Sequence, residues 1–225
     1  MPADVDRLAR VAAGLVRSDQ RVVLGICGEP GAGKTTLAQG LVGAVNEALD
    51  GIHGPGFAAH LPMDGFHLAD AQLERLGLLG RKGAPESFDV DGYVALLERV
   101  RAVSDRPVYA PGFERTLEQP IAAALVIPAT TRLVVTEGNY LLLRHPEWAP
   151  VSRLLDEVWW VQTPDNVRME RLTARHARFG KTLDTARAWV RDVDEPNALL
   201  VRAGRAGADR IVRSSSRGWE LDPHC

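Results

Sequence analysis

Residues 28–35 read Gly-Glu-Pro-Gly-Ala-Gly-Lys-Thr and fit G-x-x-x-x-G-K-[ST], the phosphate-binding P-loop pattern. No other stretch narrows the possible folds as much. The pattern works only where a strand feeds a glycine loop that opens a helix, and both neighbours are present. Arg21-Val22-Val23-Leu24-Gly25-Ile26-Cys27 is a short apolar, β-rich run, and Thr36-Leu37-Ala38-Gln39-Gly40-Leu41-Val42 reads as helix. Glycines let successive N–H groups turn inward around phosphate oxygens. The start of the helix adds the positive end of its dipole. Gly28, Gly31, Ala32, Gly33, Lys34, Thr35 and Thr36 therefore form the expected triphosphate cradle. Lys34 should reach the β- and γ-phosphates, and Thr35 should hold Mg²⁺ through its hydroxyl. The alternative is a chance glycine turn, which the filling of every fixed position argues against. The motif implies a nucleoside triphosphate and leaves open what is done with it.

A chain of 225 residues, 45% apolar and 25% charged, can bury one large core. A formal net charge of −2 gives no reason to expect nucleic acid or an anionic membrane as partner. Met1-Pro2-Ala3-Asp4 lacks the basic-then-apolar pattern of a signal peptide, and no apolar run approaches a membrane span. Cys27, ending the first strand, should be buried, and Cys225, the last residue, should be mobile. No disulfide framework is indicated, which fits a reducing cytoplasm.

Along the chain, Leu8, Val11, Ala12, Leu15 and Val16 mark an amphipathic helix over 3–17. Residues 57–63 read as a second strand with Asp64 just past its end, where open parallel sheets gather their ligands. A helix over 68–79, ended by Gly77 or Gly80, and another after Asp91 follow. Val108 to Arg115 reads as a hairpin bearing polar groups, residues 131–136 as a core strand ending at Glu137-Gly138-Asn139, and residues 157–162 as a further strand. Thr163-Pro164 opens a helix carrying Arg168, Arg171, Arg175 and Arg178 and ending at Gly180. Another helix follows from about Leu183; residues 208–213 read as the last strand, and a tail over about 214–225 should be flexible. Strands alternate with helices, so the expected fold is α/β: a three-layer sandwich with a central parallel sheet flanked by helices, one domain over 1–225.

Beyond the loop, Met63-Asp64-Gly65-Phe66-His67, then Arg81-Lys82-Gly83-Ala84-Pro85-Glu86-Ser87-Phe88-Asp89, then Glu137-Gly138-Asn139-Tyr140-Leu141-Leu142 recur in one family. The chain resembles, over most of 20–213, the P-loop small-molecule kinases that include uridine kinase, phosphoribulokinase and type I pantothenate kinase. It is most similar to their short fructose-transport-associated branch. Phe113-Glu114-Arg115 departs from the Phe-Asp-Arg usual in that branch.

The resemblance implies ATP and Mg²⁺ as cofactors and a small hydroxyl compound as acceptor: a sugar, a nucleoside or a pantothenate-like alcohol. Asp64 is the implied catalytic base, since the attacking hydroxyl must be oriented and lose its proton. A turn-forming Asp beside Gly65 is the plainer reading. Glu137 joins Thr35 as implied metal ligand, hard cations taking oxygen donors. Arg171 and Arg175 are the arginines most expected to touch phosphate, on a helical lid over about 168–182; a solvated basic face is the alternative. His67, Tyr109, Glu114 and Arg115, with Asp64 and Glu137, are the implied acceptor pocket. A GTPase switch would show Asn-Lys-x-Asp, which is missing, and a metal-insertion chaperone would show cysteine and histidine clusters, also missing. A non-catalytic nucleotide-binding module would not need Lys34, Thr35, Asp64 and Glu137 together. The oligomeric state stays open, a homodimer included.

Overall fold

The computed structural model describes residues 3–17, 20–102, 104–215 and 218–222. Its sheet is built around β1 (Val22–Cys27), which is buried from Val23 onward. β1 pairs in parallel with β5 (Leu133–Gly138) on one side and β6 (Glu157–Gln162) on the other. The full order is β2-β5-β1-β6-β7-β8, with β2 (Ala58–Pro62), β7 (Arg210–Ser215) and β8 (Gly218–Leu221). Only β8 runs antiparallel.

Strand side chains alternate between faces, so each face of a doubly covered sheet receives every second residue. Leu24, Ile26, Val135, Trp159 and Val161 turn to the face covered by α1 (Ala3–Ala13) and α2 (Lys34–His53). Val23, Val134, Val158 and Trp160 turn to the opposite face, under α4 (Val90–Arg101) and α5 (Ala149–Arg153). On α2, Leu37, Leu41 and Val45 fall one turn apart and are almost fully buried. Each contributes roughly 1.5–3 kcal/mol of apolar burial, which anchors the helix whose first turn carries the functional residues. Among the described residues, no helix is long and apolar enough to cross a membrane.

Some boundaries differ from the sequence expectation. α1 stops at Ala13, while Leu15 and Val16 still pack on the core. α3 (Asp70–Leu76) starts two residues later than expected and ends at Gly77, the first of the two glycines expected to stop it, which takes a left-handed conformation at the C-cap. The expected flexible tail is overturned where it is described. Ser214 and Ser215 complete β7, and Gly218–Leu221 returns beside it as β8. Trp219 and Leu221 alternate onto the α1/α2 core, a four-residue signal too short to read as a strand. Residues 216–217 and 223–225, Cys225 among them, lie outside the described residues.

A separate antiparallel hairpin, β3 (Val108–Glu114) and β4 (Gln119–Ile127), stands over the C-terminal end of the sheet. It rests on the 3₁₀ turn Met63–Phe66 that follows β2. The approach is so close that a Cβ on Gly65 would lie 2.3 Å from the Pro111 carbonyl oxygen. After β6 the chain forms α6 (Asp165–Arg178), α7 (Leu183–Trp189), one π-helical turn (Val190–Asp194) and α8 (Glu195–Arg202).

Candidate active site

The loop between β1 and α2 holds Gly31 at φ +78° and Gly33 at φ +94°, conformations that side-chain-bearing residues rarely adopt. Gly31 is also pressed beneath α6, where a Cβ would lie 2.6 Å from the Arg168 carbonyl oxygen. Lys34 is buried, and its Nζ donates to the Glu29 carbonyl at 3.0 Å and to Asn139 Oδ1 at 2.6 Å. Burial lowers its pKa, and the charges of Glu137 and Asp64 oppose that. The parallel register pairs Cys27 with Gly138 and so sets the end of β5 beside the loop. There the Thr35 hydroxyl donates to Glu137 Oε1 at 3.0 Å, with His60 Nε2 3.6 Å from the same oxygen. Cys27 is buried nearby; burial raises its thiol pKa to about 11, which leaves it inert at neutral pH.

The Thr35 hydroxyl and the Glu137 carboxylate both line the cleft and together present hard oxygen donors. Among the described residues, no group of three or more His, Cys, Asp or Glu could hold a metal alone. That donor set fits Mg²⁺, which takes one or two protein oxygens and completes its shell with phosphate and water.

From Lys34 and Thr35 a cleft of about 540 Å³ runs to His67, Phe88 and Phe113. Asp64 sits between the two ends, in the 3₁₀ turn after β2, with Oδ2 2.5 Å from a terminal nitrogen of Arg115 on the hairpin. Burial pushes the Asp64 pKa up, but Arg115 first, then His67, Arg175 and Lys34, outweigh it and hold the carboxyl at about 2. Asp64 is therefore ionised at neutral pH. His67 Nδ1 lies 2.8 Å from the Asp64 carbonyl oxygen. A carbonyl can only accept, so Nδ1 carries the proton and Nε2 is an acceptor. Burial lowers the His67 pKa further, so the ring is neutral at pH 7.

The four arginines of α6 separate into different tasks. Arg168 has no exposed side-chain surface and is held by Asp165 at 2.9 Å and Glu195 at 2.7 Å. It ties α6 to α8 and is structural. Arg171 stands outside the cleft beside Gly33. Arg175 lines the cleft with Asp64 and Lys34. Arg178 lies over the Phe179 ring. Leu172 is buried with Arg168, so the inner turns of the expected lid are fixed to the body; the stretch from Thr173 outward carries Arg175 and the His176 that meets Asp194.

Two expected pocket residues are not brought to the cleft. Tyr109 is 59% exposed and pairs with Val126. Tyr109 lies at the end of the hairpin remote from the turn, whereas Phe113 pairs with Pro120 beside the turn that reaches the cleft; the register shift between them adds its extra residues on β4, between Ile121 and Leu125. Glu114 is exposed, and its carboxylate accepts from the Thr116 backbone and hydroxyl at 3.0 and 2.8 Å. It organises the hairpin turn. Several cleft residues were not singled out in the sequence for the site. Asn139 engages Lys34. Lys82 bonds Asp70 at 2.5 Å and the Glu118 carbonyl. His176 Nε2 meets Asp194 Oδ2 at 2.8 Å across the π-turn. Asn139 and Lys82 carried a readable signal, both lying within the recurring motifs, Asn139 two residues past Glu137.

No protein-family model matches the chain. It is 33% identical over 179 residues to a candidate uridine kinase of Schizosaccharomyces pombe, spanning 78% of this chain and 74% of that one. It is 32% identical over 205 residues to the uncharacterized protein YggC of Escherichia coli K12, spanning 90% and 82%. Among solved structures, a candidate fructose transport system kinase from Silicibacter sp. TM1040 matches at a TM-score of 0.76 and 34% identity, covering 88% of this chain and 94% of that one.

Proposed function

This chain belongs to the P-loop small-molecule kinases, the family of uridine kinase, phosphoribulokinase and pantothenate kinase, and on that premise we propose that it transfers the γ-phosphoryl group of ATP to a hydroxyl of a small polar metabolite. The observation that carries this reading is the placement of an ionised Asp64 in one cleft with Lys34, Thr35 and Glu137. Phosphoryl transfer asks the protein mainly for positioning and for charge stabilisation. The loop backbone and Lys34 hold the phosphates. Mg²⁺, held by Thr35 and Glu137, neutralises phosphate charge when bound. Arg175 faces the transferring group across the cleft and stabilises charge that develops there. Asp64 orients the acceptor hydroxyl and takes its proton, with Arg115 fixing the carboxylate's direction. His67 Nε2 accepts a hydrogen bond from the acceptor, and the rings of Phe88 and Phe113 wall its apolar side.

The acceptor class is a compact compound with several hydroxyls, suited to a cleft that sets polar groups opposite the rings of Phe88 and Phe113: a sugar, a nucleoside or a pantothenate-like alcohol. The test is a panel of such compounds assayed for acceptor-dependent ADP release, with the phosphorylated product identified by mass. ADP release that no hydroxyl compound stimulates, but that a protein partner does, would replace this reading with that of a nucleotide-dependent switch.

A further inference from the structure

The tip of the β3–β4 hairpin holds Glu118 at φ +52°, in the left-handed region that a residue with a side chain enters only at a cost. The turn is held there from outside. Lys82, mostly buried, donates to the Glu118 carbonyl and to Asp70 Oδ1 at 2.5 Å. The Asp70 backbone N–H in turn donates to Gln119 Oε1 at 3.1 Å. The start of α3 thus clamps the hairpin tip. Backbone strain that its surroundings keep in place points to a use for the side chain it aims.

That side chain lines the cleft with Asp64 and His67. Its charge acts on Arg175, as do those of Asp64 and Asp194, yet its carboxylate makes no hydrogen bond or ion pair among the described residues. The neighbouring carboxylates are engaged: Asp64 by Arg115, Asp70 by Lys82, and Glu137 by the Thr35 hydroxyl. Asp194 gives Oδ2 to His176 at 2.8 Å and keeps Oδ1. His67 Nε2 is an acceptor because Nδ1 carries the proton. The Glu118 carboxylate, Asp194 Oδ1 and His67 Nε2 therefore all ask a bound molecule for donors. Hydroxyls supply them. A carboxylate or phosphate supplies none and meets like charge at Glu118.

Lys181 is the opposing feature, an ammonium on the same cleft that would suit an anionic acceptor. Its Nζ lies 4.6 Å from the centre of the Trp189 ring, an attractive partner already in place. We propose that Glu118 determines acceptor specificity: aimed into the cleft by the clamped turn, its carboxylate reads hydroxyl donors, so the acceptor is an uncharged polyhydroxy compound, and acids and phosphate esters are turned away. This rests on the reading of the chain as an ATP-dependent kinase and narrows its acceptors, leaving out those that carry an acid group.

The test measures acceptor-dependent ADP release with pairs that differ by an anionic group: panthenol and pantothenate, fructose and fructose 6-phosphate, ribose and ribose 5-phosphate. In the pair used best, the neutral member should have a kcat/KM at least about 10²-fold above its counterpart. Glu118→Gln should raise the KM for that neutral acceptor about tenfold, move kcat less than KM, leave the KM for MgATP unchanged and narrow the gap within the pair. Glu118→Lys should reverse the preference. An unaltered chain that prefers the anionic member, or a ranking that Glu118→Lys leaves as it was, would overturn the proposal. A fall in kcat alone, equal for both members, would make Glu118 part of the turn's architecture and overturn it too. Should Glu118→Lys not fold, Glu118→Gly, at ease at this φ, takes its place and should erase the discrimination. ADP release that none of these compounds stimulates would overturn the kinase reading itself; stimulation by the anionic members over the neutral ones would overturn only this proposal.

Discussion

Replacing Asp64 by Asn keeps the shape of the side chain and removes its charge and basicity. Three consequences can be worked out. Turnover should fall by about 10²–10⁴-fold, the usual contribution of a positioned general base. ATP affinity should be unchanged or slightly tighter, because one negative charge leaves a cleft that also holds Lys34, Arg175 and Arg115. Stability should fall. The Asp64 carboxyl is displaced from 3.8 to about 2, and at about 1.36 kcal/mol per unit that is roughly 2.4 kcal/mol of native-state preference for the ion. The side chains of Asp64 and Arg115 are 25% and 36% exposed, so solvent screening reduces this to about 1–2 kcal/mol. For a chain of this size that is a drop in Tm of about 2–8 °C at pH 7. A carboxyl with a depressed native pKa stabilises above its unfolded pKa and loses that contribution as pH falls through the native one. The gap in Tm between the two proteins should therefore close between about pH 4 and pH 2. The assays are ADP release at saturating ATP, Mg²⁺ and acceptor, ATP binding, and melting across pH. Turnover within a few-fold of the unaltered protein would refute Asp64 as the base. Activity recovered by excess Mg²⁺ would reassign it as a metal ligand.

Lys34→Ala should lower phosphotransfer by at least about 10²-fold while the chain stays folded; circular dichroism with the ADP-release assay checks both, and near-normal turnover would remove the loop from catalysis. Gly65→Ala should cost about 1–3 kcal/mol, since the new Cβ meets the Pro111 backbone at 2.3 Å, and should raise the KM for the acceptor more than that for ATP. Hydrogen exchange over Thr173–Lys181 should slow when an ATP analogue and acceptor bind together, while the buried turn holding Arg168 and Leu172 stays protected throughout. Exchange over Thr173–Lys181 that ignores both ligands would make Arg175 a surface residue of a rigid helix.

How far the sequence could be read follows from the range of the interactions involved. The strand, loop and helix at 22–53 form through local rules, glycine conformation and apolar periodicity, so Lys34 and Thr35 stand where the motif puts them. Asp64 and Glu137 were readable because the ends of parallel strands β2 and β5 meet at one edge of the sheet. Tyr109 was misassigned because it stands at the end of the hairpin remote from the turn, exposed and paired with Val126, and nothing in Val108-Tyr109-Ala110-Pro111-Gly112 announces which end meets the cleft. Glu114 was misassigned because its partner is the turn two residues on. Arg168 and Arg175 lie on the same helix, yet the first is consumed by Asp165 and Glu195. That division depends on α8, which no local pattern places. β8 is four residues long and gains its meaning only from contacts with the α1/α2 core.

The contact between Gly65 and Pro111 has a consequence for redesign. The hairpin carrying Arg115 and Phe113 touches the turn carrying Asp64 at backbone distance, with no side chain between them to absorb a mismatch. Transplanting a relative's hairpin to change the acceptor would therefore also shift the carboxylate that Arg115 aims. Residues 62–67 and 108–127 behave as one cassette: a chimera exchanging both segments keeps the register between recognition and proton removal, and a chimera exchanging the hairpin alone breaks it.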